Sequence, residues 1–117
     1  MTHLELQIDK TDFLPEEILQ GKFIYNGLAI NEPLLMTLYW FTEGKGEQDI
    51  HAPLTVEFHT EDRSGEREFS ILLPPTPHSF SGRLFNLHWV LELKALVAGV
   101  SIERGITIGN SQQNGNP

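Results

Sequence analysis

Short stretches of alternating apolar and polar residues recur along the chain, separated by Gly, Pro, Asn or charged residues. Alternation with a period of two is typical of strands that bury one face. Seven such stretches can be drawn, and they predict an all-β, immunoglobulin-like antiparallel β-sandwich of about seven strands. The predicted inward residues, strand by strand, are Leu4, Leu6 and Ile8; Phe23 and Tyr25; Leu34, Met36, Leu38 and Trp40; Leu54, Val56 and Phe58; Phe69, Ile71 and Leu73; Phe85, Leu87, Trp89, Leu91 and Leu93; and Val100, Ile102, Ile106 and Ile108.

The stretch at residues 83–95 alternates most regularly, so we expect it to be a central strand and to place Trp89 in the core. Trp40, on the inward side of the third strand, is also expected in the core. Pro53 is predicted to begin the fourth strand, where the missing N–H of proline does least harm. The single helical candidate, residues 15–20, is about a turn and a half long.

The third predicted strand, residues 34–42, is apolar on both faces. Its outward side carries Leu35, Tyr39 and Phe41, although a half-exposed strand normally has polar residues there. If the domain leaves this face uncovered, it is an apolar patch of the kind that marks protein contacts. If the strand is central, long side chains from its neighbours cover the face instead. We take Leu35, Tyr39 and Phe41 as the candidate protein-binding residues.

Arg104 interrupts the apolar side of the last predicted strand, residues 100–108. If it is buried there, its guanidinium needs a carboxylate partner, and breaking such a pair costs several kcal/mol. Alternatively, Gly105 permits a β-bulge that turns Arg104 to solvent. We favour the second interpretation.

Two segments resemble arrestin-like domains. Residues 15–23, PEEILQGKF, are similar to the pattern Pro-Gly-Glu-x-Leu-x-Gly-x-Val that leads into the second strand of those domains, except that Glu16 stands where the pattern has glycine. Residues 73–82, LPPTPHSFSG, followed by LHWVL at residues 87–91, are similar to the family's proline-rich Ser-x-x-Gly turn and to the strand with a central tryptophan that follows it. The resemblance extends over roughly residues 4–108.

The resemblance implies an immunoglobulin-like sandwich that works as an adaptor or scaffold without catalysis. Arrestin-like proteins include the retromer subunit of this fold and bacterial sporulation-control proteins, and most carry two such sandwiches in tandem. This chain has 117 residues, which is enough for one hydrophobic core but not for two. Functions that need a hinge between two sandwiches, and the receptor-phosphate sensor of visual-type arrestins, are therefore not carried over. Residues 1–109 are predicted to form the domain and the polar residues 110–117 a flexible tail.

The net charge argues against some classes of partner, and the absence of cysteine excludes some kinds of site. Sixteen acidic residues against eight Lys and Arg give a formal charge of −8, which repels nucleic-acid backbones and anionic membranes. Cysteine is absent, so disulfides, thiol nucleophiles and Cys-ligated zinc are excluded, and nothing points to an oxidising compartment. No apolar run is long enough to span a membrane, and the first residues lack the regions of a signal peptide, so we expect a cytoplasmic protein.

Reactive residues do not form a pattern typical of an active site. His51 and His59 are about 26 Å apart if they lie in one extended strand, which is too far to share a metal ion. Ser79 and Ser81 flank no strand-to-helix turn of the kind that presents a hydrolase nucleophile, although His78 is adjacent. The sequence therefore predicts no catalytic residue, no metal ligand and no cofactor.

Acidic residues concentrate in one part of the chain. The segment 43–68 holds eight acids and three bases, and this balance would favour a basic partner. A solubilising surface is the simpler interpretation. The same segment contains GKG at residues 44–46, which has the glycine content of a phosphate cradle but lacks the downstream Gly-Lys-Ser/Thr and the helix of such sites.

We interpret the chain as a single arrestin-like sandwich that acts as a non-enzymatic protein-interaction module. Its expected partners are other proteins or a second copy of the chain. Self-association would use an edge strand, whose main chain can pair with another strand. The alternative is a small-ligand or carbohydrate-binding sandwich that uses Tyr39 and Phe41 as a stacking platform.

Overall fold

The computed structural model describes residues 1–46, 48–82 and 85–109, and these residues contain strands and turns but no helix. Seven strands of six residues or more match the seven predicted strands, so the predicted all-β class is confirmed. The predicted tail, residues 110–117, lies outside the described residues. The strands are β1 (His3–Ile8), β2 (Asp12–Phe13), β3 (Ile18–Asn26), β4 (Pro33–Gly44), β5 (Ile50–His59), β6 (Gly65–Leu72), β7 (Phe80–Ser81), β8 (Phe85–Ala95) and β9 (Val100–Ile108).

The strands form two sheets. The smaller sheet has the order β1-β3-β6, and the larger has the order β2-β9-β8-β4-β5, with β7 paired to β8. All pairings are antiparallel except the short contact of β2 with β9. The most regular alternation in the sequence thus gives β8, the middle strand of the larger sheet, as predicted.

The core lies between the two sheets. Trp89 is 1% exposed, which confirms its predicted place. Trp40 is only half-buried: it packs against the margin of the core, and its ring stacks on His51 with 4.5 Å between ring centroids. The expectation that Trp40 is a core residue is therefore met only in part, because its neighbour β5 is an edge strand. Among the described residues, the apolar side chains that are 0% exposed are Leu6, Leu19, Phe23, Leu34, Leu38, Leu91, Leu93, Ala95 and Ile108.

Pro53 lies inside β5 rather than at its start. Leu38 of β4 faces Leu54 of β5. Two residues further along β4, Trp40 faces His51, so β5 contains one extra residue in this stretch. Such a β-bulge is tolerated at the edge of a sheet, where a proline breaks no ladder on the open side. The prediction that Pro53 begins the strand is therefore wrong.

The predicted helical turn is a tight β-turn that leads into β3. The Glu17 N–H donates to the Leu14 carbonyl at 3.2 Å, and Glu16 has a φ of 64°. Pro15 followed by a residue with positive φ is typical of a type II turn, which favours glycine at the third position. The glycine of the arrestin-like pattern therefore corresponds to this left-handed position. The Lys10 ammonium, and after it the Leu14 N–H, bind the Glu17 carboxylate and lower its pKa.

Gly21 lies where β1, β3 and β6 pack too closely for a side chain at this position. A Cβ on Gly21 would lie 2.3 Å from the Gln7 carbonyl oxygen and 2.9 Å from the tip of the Phe69 ring. We expect Gly21→Ala to lower the free energy of unfolding by about 1–3 kcal/mol, because the backbone must shift. A urea titration measures this. Gly105→Ala is the control, since a Cβ there meets nothing within 4 Å. Equal losses in both variants would contradict the steric explanation.

The proline-rich loop after β6 is fastened to the larger sheet. The Trp89 Nε1–H donates to the Pro77 carbonyl at 2.9 Å. The Ser79 N–H donates to the Ile108 carbonyl at 2.6 Å, and the Ser79 hydroxyl accepts from the Ile108 N–H at 3.0 Å. Trp89 and Ser79 both belong to the second segment that resembles arrestin-like domains. Their side chains thus attach the proline-rich loop to the larger sheet.

The Glu32 carboxylate connects two loops by hydrogen bonds, at the end of the sandwich opposite the proline-rich loop. Its side chain is almost completely buried, with 2% exposed. Oε1 accepts from the Ala29 N–H at 2.9 Å. Oε2 accepts from the N–H groups of Val97 at 3.1 Å and Ala98 at 2.7 Å. One carboxylate therefore joins the loop before β4 to the turn between β8 and β9.

Candidate functional site

The candidate residues Leu35, Tyr39 and Phe41 lie on the side of the larger sheet that faces away from the core, here called the outer face. All three are half-buried, so neighbouring side chains cover this face in part. Leu35, Tyr39 and Phe41 stay the candidate protein-binding residues. The described residues of the outer face are Asp12 of β2; Pro33, Leu35, Thr37, Tyr39, Phe41 and Glu43 of β4; Ile50, Thr55, Glu57 and His59 of β5; Ser81 of β7; Asn86, His88, Val90, Glu92 and Lys94 of β8; and Ser101, Glu103, Gly105 and Thr107 of β9.

Three rings and one aliphatic side chain form a continuous patch, here called the aromatic patch. Its residues are Tyr39, Phe41, His88 and Ile50. The ring centroids of Tyr39 and Phe41 are 6.3 Å apart, and those of Phe41 and His88 are 5.1 Å apart. Ile50 faces Phe41 across the ladder and is 69% exposed. Leu35 lies beyond Thr37, so the structure brings Tyr39 and Phe41 together but not Leu35. The Tyr39 and Phe41 rings are inclined by 32°, which does not favour a flat platform for a sugar ring.

The Tyr39 hydroxyl reaches across β8 and donates to Glu103 Oε2 of β9 at 2.8 Å. Burial, and after it the hydrogen bond to Glu103, raise the pKa of Tyr39 to about 12. The negative charges of Glu103 and Glu92 act in the same direction. A phenolate beside two carboxylates is unfavourable, so Tyr39 stays protonated and serves as a hydrogen-bond donor.

Stability is expected to fall at alkaline pH through Tyr39. Its pKa is higher in the folded chain than the ordinary value of 10.0, so its contribution is complete below pH 10.0 and is lost as the pH rises to about 12. The difference between the ultraviolet titration curves of the wild type and Tyr39→Phe isolates this phenol. Glu103→Gln is expected to lower the pKa of Tyr39. An ordinary pKa for Tyr39 in the wild type would contradict the structure.

Glu92 and Glu103 lie directly opposite each other on β8 and β9. Like charges in this position destabilise a sheet. Within the described part of the chain, neither glutamate forms an ion pair. Neither glutamate stands out in the sequence, because alternation identifies outward positions but not which of them face each other across strands.

The remaining sequence candidates lie outside the aromatic patch. The Ser79 hydroxyl accepts a main-chain hydrogen bond, as described above, and the Ser81 hydroxyl donates to Asn86 Oδ1 at 2.9 Å. His59 lies 2.7 Å from the Glu57 carboxylate. Among the residues that the structure describes, no group of three or more His, Cys, Asp or Glu side chains could hold a metal ion.

Arg104 is exposed, but not through a bulge. The ladder between β8 and β9 is regular here, with Leu91 facing Arg104 and Trp89 facing Ile106. The guanidinium donates to the main-chain carbonyl of Glu103 at 3.0 Å. Because β2 pairs with only the end of β9, the outer edge of β9 is open at Arg104 and the side chain reaches solvent directly. The bulge at Gly105 is therefore wrong, while the expected exposure is confirmed.

A groove of about 680 Å³ lies at the end of the sandwich, between β2 and the proline-rich loop. His88 belongs to both the groove and the aromatic patch. Several polar side chains in its wall bind each other: Lys10 pairs with Glu17, and Ser81 bonds to Asn86. The groove therefore extends the surface around the patch.

The two sheets define an arrestin-like β-sandwich. Among solved structures, the sporulation control protein Spo0M from Bacillus subtilis is similar, with a TM-score of 0.65 and 15% identity over 93% of this chain. The chain spans 49% of the Spo0M chain, about half its length. Superoxide reductase (neelaredoxin) from Ignicoccus hospitalis has a TM-score of 0.49 and 14% identity, over 92% of this chain and 81% of its own. A β-glucosidase from Listeria innocua has a TM-score of 0.51 and 11% identity, over 93% of this chain and 16% of its own.

At these identities the likeness shows the fold alone. No protein-family model matches the chain, and no curated protein matches its sequence. Over the described ranges, no helix has the length and apolar character that crossing a membrane requires.

Proposed function

We propose that the chain is a non-enzymatic protein-interaction module that binds a protein partner through its aromatic patch. The observation that carries this proposal is the position of Tyr39, Phe41 and Ile50 together on a sheet face, with Ile50 69% exposed. Aromatic side chains of this kind are enriched at protein interfaces and anchor them. Leu35 lies on the same face and would contact the partner at its margin.

The fold is consistent with a role in binding. The chain shares the arrestin-like sandwich with Spo0M, which is named as a sporulation control protein, and a role in regulation or as an adaptor is consistent with that name. We place the module in the cytoplasm, since no cysteine points to an oxidising compartment.

Capture from a native lysate tests the proposal. Immobilised wild type is compared with Phe41→Glu and Tyr39→Glu, which place a charge in the patch. Leu72→Glu is the matched control, because Leu72 is an apolar side chain that is 66% exposed at the end of β6, in the other sheet. We expect the same proteins on wild type and Leu72→Glu and their loss from both patch variants. If all three variants retain the same proteins, the patch is not the interface.

Self-association through an edge strand is the second form of the proposal. The open edge of β5 is interrupted by the bulge at Pro53, so regular main-chain pairing is available only over residues 54–59. Sedimentation velocity over a range of protein concentrations tests this form. A dimer fraction that rises with protein concentration would support self-association, and a monomer at high micromolar concentration would contradict it.

A further inference from the structure

The outer face has an unbalanced charge. Lys94 is the one lysine or arginine among its described residues. Its carboxylates are Asp12, Glu43, Glu57, Glu92 and Glu103. Two of them have a histidine beside them, since Glu43 lies 3.1 Å from His88 and Glu57 lies 2.7 Å from His59. Among the described residues, neither Glu92 nor Glu103 has a histidine, lysine or arginine within ion-pair distance, and the two carboxylates face each other beside Tyr39.

This arrangement fits a cation better than it fits the isolated domain. The Glu92 and Glu103 carboxylates repel each other across the ladder, and the Tyr39 hydroxyl neutralises neither of them. A guanidinium or ammonium placed between them would remove the repulsion and lie close to the Tyr39 ring, which attracts cations through its π-face. Phe41 and Ile50, further along the face, offer an apolar surface beside that position.

We infer, on the basis of the proposed function, that the partner contacts the outer face with a segment that is both basic and apolar. An arginine or lysine of the partner lies between Glu92 and Glu103 at Tyr39, and a neighbouring apolar side chain packs on Phe41 and Ile50. A second copy of the chain does not fit this face. It carries the same formal charge of −8 and would bring carboxylates against carboxylates.

Synthetic peptides test the chemistry of the partner. The probe is a fluorescent peptide in which arginine alternates with leucine. One control peptide has glutamate in place of arginine, and the other has serine in place of leucine. We expect the arginine–leucine peptide to bind wild type at least about tenfold more tightly than either control. Amide NMR shifts should be largest at Tyr39, Phe41, Glu92 and Glu103. Equal binding of all three peptides, or no binding, would overturn the inference.

Two double variants separate a local site from general attraction to an acidic protein. Glu92→Gln with Glu103→Gln removes two charges from the outer face. Glu61→Gln with Asp62→Asn removes two charges from the exposed loop between β5 and β6. We expect the first to weaken binding of the arginine–leucine peptide by about tenfold and the second by less than about twofold. Equal losses would overturn the inference.

Glu92→Lys distinguishes a binding role from a structural one. A lysine opposite Glu103 replaces repulsion by attraction, so we expect the melting temperature to rise by about 2–4 °C. The same variant should no longer bind the arginine–leucine peptide. A lower melting temperature would show that Glu92 serves the fold and would contradict the inference.

The inference and the proposed function fail in different ways. If Phe41→Glu loses proteins from the lysate but the arginine–leucine peptide does not bind, the patch is an interface and its partner is not basic. If Phe41→Glu retains every protein, the proposed function itself is wrong. A dimer of the wild type that Phe41→Glu dissolves would assign the face to a second copy and overturn the inference.

Discussion

Replacing Trp89 by alanine is expected to lower the free energy of unfolding by about 3–5 kcal/mol, the largest effect of any single change proposed for this chain. The indole is 1% exposed on the middle strand of the larger sheet, so its removal leaves a cavity in the core. It also removes the Nε1–H that binds the Pro77 carbonyl at 2.9 Å, and with it the attachment of the proline-rich loop. Urea unfolding followed by far-ultraviolet circular dichroism measures the loss.

Two further variants separate packing from hydrogen bonding at Trp89. Trp89→Phe keeps an aromatic ring and removes the donor to Pro77, so we expect about 1–3 kcal/mol. Trp40→Ala removes the same side chain from a half-buried position, and we expect about half the effect of Trp89→Ala. A Trp89→Ala protein with nearly the urea midpoint of the wild type would show that the inward side of β8 is misassigned.

Replacing Glu32 by alanine is expected to cost about 2–4 kcal/mol, because the N–H groups of Ala29, Val97 and Ala98 lose a charged acceptor together. Partial rehydration of the two loops limits the loss. Hydrogen exchange by NMR should show faster exchange at these three amides, alongside the lower urea midpoint.

Two controls accompany the Glu32 experiment. Glu32→Gln retains one oxygen acceptor and should lose about half as much stability as Glu32→Ala. Glu57→Ala removes a glutamate from an exposed position and should stay within about 0.5 kcal/mol of the wild type. If Glu32→Ala were as stable as Glu57→Ala, the carboxylate would not hold the loops together.

Alternation in the sequence predicted the sheets because it records which face of each strand is buried. It placed β8 and its inward Trp89 correctly, since a strand in the middle of a sheet has regular neighbours on both sides. It failed at Pro53, because a bulge depends on how β5 pairs with β4 and not on β5 alone. It also failed at Pro15, because a proline that can begin a helix can equally occupy the second position of a type II turn.

The sequence predicted only those candidate residues that lie together on one strand. Leu35, Tyr39 and Phe41 follow from one strand that is apolar on both faces. Glu92 and Glu103 do not, because their contact depends on the register of β8 against β9. Glu32 was missed for a related reason: a charged residue in a loop is expected in solvent, and only the folded loops bring three N–H donors around it.

The extra residue in β5 also has a bearing on polymerisation. Open sheet edges can recruit the same strand from neighbouring molecules and grow into cross-β fibrils. At Pro53 the edge is bent and one main-chain donor is missing, so an incoming strand could not continue its hydrogen bonds along the whole length of β5. The aromatic patch can therefore stay open to a partner while fibril growth along the β5 edge is hindered at Pro53.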